Sequence, residues 1–85
     1  MEMARGPDPK IDAISILRVV LRSPDPAFTA GEVAAELGVT SEGARHQMDR
    51  LVDAGYLDKK KAGRRTVLYW PTDAGLMHYV EATSE

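Results

Sequence analysis

Apolar residues recur at helical spacing in three successive stretches of this chain, alternate in a fourth, and return to helical spacing at the end. The first stretch carries Ala13, Ile14, Ile16, Leu17, Val20 and Leu21, which fall on one side of a helix. Asp8 followed by Pro9 reads as an N-cap with proline at the first helical position, where a missing N–H costs nothing. The spacing predicts a helix over about 9–22. Ser23-Pro24-Asp25-Pro26 ends it, because each proline disfavours helix in the residue before it. The six apolar side chains span close to half of the helix circumference, with Val19 outside that arc. One stripe packs inside a small domain. The surplus either widens the core or meets a second copy of the chain.

The next two stretches are punctuated more sharply. Thr29 and Glu32 stand three apart before an apolar run, the spacing of a capping box, and Phe28 with Val33 has the spacing of a hydrophobic staple. Val33, Ala34 and Leu37 supply one apolar face of a short helix, and Gly38 suits a left-handed C-terminal cap. Val39 plugs the corner. Thr40 offers a second N-cap, after which Ala44, Met48, Leu51 and Val52 recur at helical spacing and Gly55 closes the helix. Its opposite face carries Ser41, Glu42, Arg45, His46, Asp49 and Arg50. A short helix, a glycine turn and a longer polar-faced helix form a helix-turn-helix, whose second helix fits a major groove. For a helix standing alone, the same face would be merely solvated.

The period then changes. Tyr56–Lys61 and Thr66–Trp70 flank Ala62-Gly63-Arg64-Arg65, and the second arm is rich in β-branched and aromatic residues, which predicts a hairpin. Pro71 ends that arm. Thr72 is an N-cap for a last helix over about 73–82, with Asp73 well placed against the helix dipole. Leu76, Tyr79, Val80 and Met77 form its apolar face. Residues 1–8 are expected to be a flexible tail, and 9–85 one domain.

Charge changes the picture at the hairpin. Lys59, Lys60, Lys61, Arg64 and Arg65 fall within seven residues with no acid among them. Such crowding is costly unless an anion neutralises it, and phosphate is the obvious one. A lysine-rich edge that discourages strand-to-strand aggregation is the other reading. The whole chain carries −2. Residues 56–70 hold five cations against Asp58 alone, a net +4, so the remainder carries −6. A chain so polarised presents its positive end to a polyanion while staying soluble.

Taken together, residues 29–70 resemble the winged helix-turn-helix domains of bacterial and archaeal transcription regulators, broadly the MarR-like and ArsR-like groups and small archaeal relatives. The resemblance is carried by T-A-G-E-V-A-A-E-L-G-V-T, by A-R-H-Q-M-D-R-L-V-D-A-G-Y-L and by the basic hairpin. It implies an α+β fold: three helices, a small antiparallel hairpin wing and a C-terminal helix. It also implies a short strand at Ala27-Phe28 that makes the hairpin a three-stranded sheet. The implied function is sequence-specific binding of double-stranded DNA, with the helix over about 41–54 in the major groove and the wing over 59–65 on the backbone or minor groove. Thr40, Ser41, Glu42, Arg45 and His46 would then lie at or near base edges, with Arg50 on a phosphate. In many such regulators the terminal helices dimerise. Here that would place Ile16, Val19, Val20, Met77, Tyr79 and Val80 at a homodimer interface, although the last helix can equally pack within one copy. Two departures stand out. Glu42 and Asp49 make the recognition helix less basic than is common, and the absence of cysteine removes thiolate metal sites and redox thiols.

The remaining residues add no chemistry. His46 and His78 fall on different helices, and neither has a partner at metal-ligand spacing. Ser41 and His46 are turned away from each other by more than a quarter of the helix circumference. No glycine-rich phosphate loop is present. An enzyme is not expected, nor a cofactor. No apolar run approaches the ~20 residues of a membrane span, the first residues lack a signal peptide's apolar stretch, and zero cysteines fit a reducing cytoplasm. The alternative to DNA binding is a winged-helix module that docks another protein, with Glu42 and Asp49 facing a basic partner.

Overall fold

A computed structural model describes residues 11–84. Four helices and one hairpin follow in the order α1 (Ala13–Arg22), α2 (Ala30–Leu37), α3 (Ser41–Asp53), β1 (Leu57–Lys61), β2 (Val67–Pro71) and α4 (Asp73–Thr83). The fold is α+β.

α1 begins later than its apolar spacing suggests. Asp12 is extended, and its carboxylate accepts from the Ser15 N–H at 2.8 Å, which makes it the N-cap. Ile11 and Asp12 therefore precede the α-helix, and the Asp8–Pro9 start lies outside the described residues. Both aspartates satisfy the local rule for a cap. Ile16 and Leu17 are fully buried and Val20 nearly so. Ile16 and Val20 are thus core residues and not available to a partner copy, while Val19 is half-buried against that core.

α2 and α3 follow their punctuation closely. The Thr29 hydroxyl accepts from Glu32 N–H, and the Glu32 carboxylate accepts from Thr29 N–H at 2.9 Å, so the capping box is complete. Gly38 has φ 71° and ψ 34°, the left-handed cap. At the other end of α3, Gly55 has φ 87°. Its N–H reaches Val52 O while Tyr56 N–H reaches Leu51 O at 2.9 Å, the two bonds of a Schellman motif. Val33, Ala34, Ala44, Met48 and Leu51 face inward and join the α1 residues in one core.

β1 and β2 pair antiparallel, with Leu57 opposite Pro71, Lys59 opposite Tyr69 and Lys61 opposite Val67. The tip is closed by Ala62 N–H donating to Thr66 O at 2.7 Å. The expected third strand is reduced to one rung: Phe28 and Tyr69 exchange both backbone bonds at 2.8 Å. Pro26 lacks an N–H and Thr29 already caps α2, which leaves only a two-residue window for pairing.

α4 departs most from expectation. Thr72 caps it as predicted, its hydroxyl accepting from Gly75 N–H at 3.0 Å. The inward face, however, is Gly75, which is buried, with His78 and Tyr79 half-buried. Leu76, Met77 and Val80 are 46%, 59% and 50% exposed, so three of the four apolar residues point away from the core and Tyr79 alone packs against it. The cause is the close approach of α4 to the α3–β1 corner. A Cβ on Gly75 would collide with the Tyr56 carbonyl oxygen. Thr72 also donates to Gly55 O at 2.6 Å, and the His78 ring stacks on Tyr56 with centroids 4.3 Å apart. Among the described residues, no helix is long and apolar enough to cross a membrane.

Candidate nucleic-acid interface

α3 buries Ala44, Met48 and Leu51 and leaves Ser41, Glu42, Arg45, His46 and Arg50 exposed. Thr40 is exposed and spends its hydroxyl on Gly43 N–H at 3.0 Å, so it serves first as the helix cap. The five hairpin cations are all exposed. Strand alternation puts Lys59 and Lys61 on one face of the hairpin and Lys60 on the other. Arg64 and Arg65 lie in the loop between the strands.

Helix and hairpin meet at two places. A cleft of about 180 Å³ is lined by Thr29, Ala30 and Gly31 at the start of α2, by Arg45 of α3, and by Arg65, Thr66, Val67 and Tyr69 of the hairpin. Two guanidinium-bearing residues from separate elements line it, and no carboxylate does. A larger open cleft of about 530 Å³ beside α1 and α2 sets Arg18 and Arg22 against Asp25, Glu32 and Glu36. That balance of charge gives a polyanion no net attraction.

The second meeting point is Asp49. Its Oδ1 accepts from the Tyr69 hydroxyl at 2.7 Å and from Lys59 Nζ at 3.1 Å, and its Oδ2 lies 3.9 Å from an Arg45 guanidinium nitrogen. Burial pushes the Asp49 carboxyl up, but the bonds from Tyr69 and Lys59 and the charges of Lys59 and Arg45 outweigh it and hold it below the ordinary value. Burial, the bond to Asp49 and the charge behind that bond push the Tyr69 phenol up to about 12. Asp49 is thus committed to internal partners, and so is Lys59 among the cations expected on phosphate. His46 and Arg50 make no hydrogen bond or ion pair with the hairpin among the described residues. Sequence reasoning placed Asp49 on the polar face but missed its partners. The signal that would find them is Tyr69 itself: a tyrosine on the covered face of a hairpin needs a partner for its hydroxyl. Among the described residues, no group of three or more His, Cys, Asp or Glu is placed to hold a metal.

A glycine-turned helix pair, a polar second helix and a cationic hairpin returning beside it define a winged helix-turn-helix domain. No protein-family model matches the chain, and no curated relative matches it. Solved structures do, among them members of the MarR family. FabT of Streptococcus pneumoniae, solved in complex with DNA, is similar with a TM-score of 0.70 at 22% identity, over 82% of this chain and 49% of that one. A MarR protein from Peptoclostridium difficile gives 0.70 at 26% identity, over 82% and 46%. The antimony-specific transcriptional repressor AntR gives 0.67 at 22% identity, over 81% and 60%. The fold is therefore that of the MarR-type winged-helix regulators. The chain spans about half of the length of the first two and 60% of the third.

Proposed function

We propose that this chain is a DNA-binding transcription regulator that acts as a homodimer, with α3 in the major groove and the wing over 59–65 on the backbone or minor groove. One observation carries the reading. Arg45 of the exposed α3 face and Arg65 of the wing line a single cleft free of carboxylates, so the two elements offer one cationic surface to a polyanion. FabT's complex with DNA supports the same reading by similarity of fold. Arg45 is 57% exposed and suits bidentate contact with guanine, while Ser41 and His46 can donate or accept at neighbouring bases and Glu42 can accept from cytosine. Arg50, Lys60, Lys61, Arg64 and Arg65 supply charge to phosphates. The exposed Leu76, Met77 and Val80 of α4 give the second copy its contact. Two copies related by symmetry would read two half-sites about one helical turn apart.

The test is fluorescence anisotropy with mixed-sequence duplex DNA across a salt series, with mass checked by light scattering. Affinity should fall steeply with salt. Arg64→Ala with Arg65→Ala should weaken binding to every sequence and flatten the salt slope by roughly two units. Unchanged binding by that variant removes the wing from the interface. Arg45→Ala should cost about 1–3 kcal/mol on a preferred site and relax base choice there. An equal loss on random DNA would make Arg45 a phosphate contact instead.

A further inference from the structure

Asp49 lies on the face of α3 that meets DNA in the reading above, where charge alone makes a carboxylate a liability. Its contacts give it another role. The hairpin register sets Lys59 directly opposite Tyr69, and Asp49 Oδ1 accepts from both side chains of that pair. The backbone of Tyr69 is held from the other edge by Phe28, through both of its hydrogen-bonding groups. One rung therefore runs from Phe28 through Tyr69 to Lys59, and the carboxylate pins it to α3. Tyr69 is only 2% exposed, so the anchor is rooted in the core. The tip that carries Lys61, Arg64 and Arg65 extends beyond this rung. On the helix side, the nearest cation is Arg45, one turn back along α3 at 3.9 Å.

We propose that Asp49 is a positioning residue for DNA recognition: it fixes the wing against α3 and orients Arg45, without touching DNA itself. This rests on the DNA-binding reading. It predicts an effect opposite in sign to simple electrostatics. Removing an acid from a DNA-facing surface lessens repulsion and should tighten binding; removing the clamp should weaken it.

Asp49→Ala and Asp49→Asn separate the two, because both lose the same charge while asparagine keeps an oxygen that accepts from Tyr69. Duplex affinity, measured where circular dichroism shows each variant folded, should drop about tenfold for alanine, the scale of one lost charge-assisted bond, and stay within about threefold of wild type for asparagine. Alanine binding as tightly as wild type, or either variant binding more tightly, overturns the proposal. A second readout needs no DNA. Amide hydrogen exchange in residues 59–67 should rise about tenfold in Asp49→Ala relative to α1, and unchanged hairpin exchange also overturns the proposal. Wild-type protein that binds no duplex would refute the DNA reading, while the exchange measurement would still judge the clamp. Tyr69→Phe keeps the core volume and removes only the hydroxyl. If Asp49→Ala does not fold, faster hairpin exchange in Tyr69→Phe supports the clamp, and wild-type exchange there refutes it.

Discussion

α3 and α4 begin with the same device and end on different kinds of surface. Each follows an extended threonine whose hydroxyl accepts from the N–H of a glycine three residues on, Gly43 in one helix and Gly75 in the other. α3 then buries an apolar stripe and offers a charged face. α4 buries its glycine and offers Leu76, Met77 and Val80. The difference lies in packing distance. α3 packs on its neighbours through side chains, with Ala44, Met48 and Leu51 buried in the core. α4 lies directly on the backbone of the α3–β1 corner, so close that Tyr56 leaves no room for a Cβ. A cap that reads the same in sequence therefore opens helices with opposite inward faces.

The largest expected effect tests that contrast at the two glycines. Gly75→Ala forces α4 off Tyr56 and should cost about 3 kcal/mol, lowering Tm by on the order of 10–20 °C in a domain of this size. Gly43→Ala meets only side chains, Thr40 Oγ1 at 3.0 Å and Ile11 Cδ1 at 3.5 Å. The gain in helix propensity, about 0.8 kcal/mol, is set against that tight contact, so the net should stay within about 1 kcal/mol of zero. Thermal melts of the two variants decide the matter, and similar losses at both positions would break the comparison.

What was legible in the sequence divides along the same line. The caps of α2, α3 and α4 were readable because a cap is satisfied within four residues: Thr29 with Glu32, Thr40 with Gly43, Thr72 with Gly75. Gly38 and Gly55 were readable because left-handed turns admit few other residues. The start of α1 was not, since Asp8 and Asp12 both offer a local cap and pattern alone cannot choose between them. The inward face of α4 was read correctly only at Tyr79, because helical periodicity assumes that apolar side chains do the packing. A glycine contact such as that of Gly75 carries no apolar signal of its own. At the candidate interface, the exposed polar face of α3 and the basic tip followed from spacing. The ties of Asp49 to Lys59 and Tyr69 did not, because they span ten and twenty residues and depend on the hairpin register.

The outer face of α4 sharpens the comparison at intermediate scale. Leu76 and Val80 are each about half exposed, so burial against a second copy would be worth about 1 kcal/mol apiece. Leu76→Gln with Val80→Gln should weaken self-association by about 2 kcal/mol per copy and shift the mass from dimer towards monomer. The stability of the single copy should change by no more than about 0.5 kcal/mol per substitution, as for exposed positions elsewhere. A wild-type monomer at tens of micromolar in light scattering would leave this face without a second copy, and the contrast with α3 would rest on packing alone.

Acid sets the smallest effect, and it separates the two corners by the chemistry of their ties. The hairpin is held to α3 by a carboxylate, whereas α4 is held to the end of α3 by the Thr72 hydroxyl on Gly55 O and by the close approach of Gly75. The Asp49 carboxyl sits below its ordinary value of 3.8 in the folded chain. A group lowered by folding contributes stability that is complete above its unfolded value and disappears as pH falls through the folded one. The hairpin tie should therefore hold at pH 5 and weaken below pH 4, while neither the hydroxyl nor the glycine contact titrates in that range. The size should be no more than about 1 kcal/mol, because the Asp49 side chain is 32% exposed and water screens it. Carboxyl NMR should give Asp49 a midpoint below the ordinary aspartate value. Amide shifts of residues 66–69 should follow that midpoint, those of residues 76–78, beyond Asp73 in the first turn of α4, should not, and Asp49→Asn should abolish the response of 66–69. If both corners respond alike to acid, the hairpin is not held by the carboxylate.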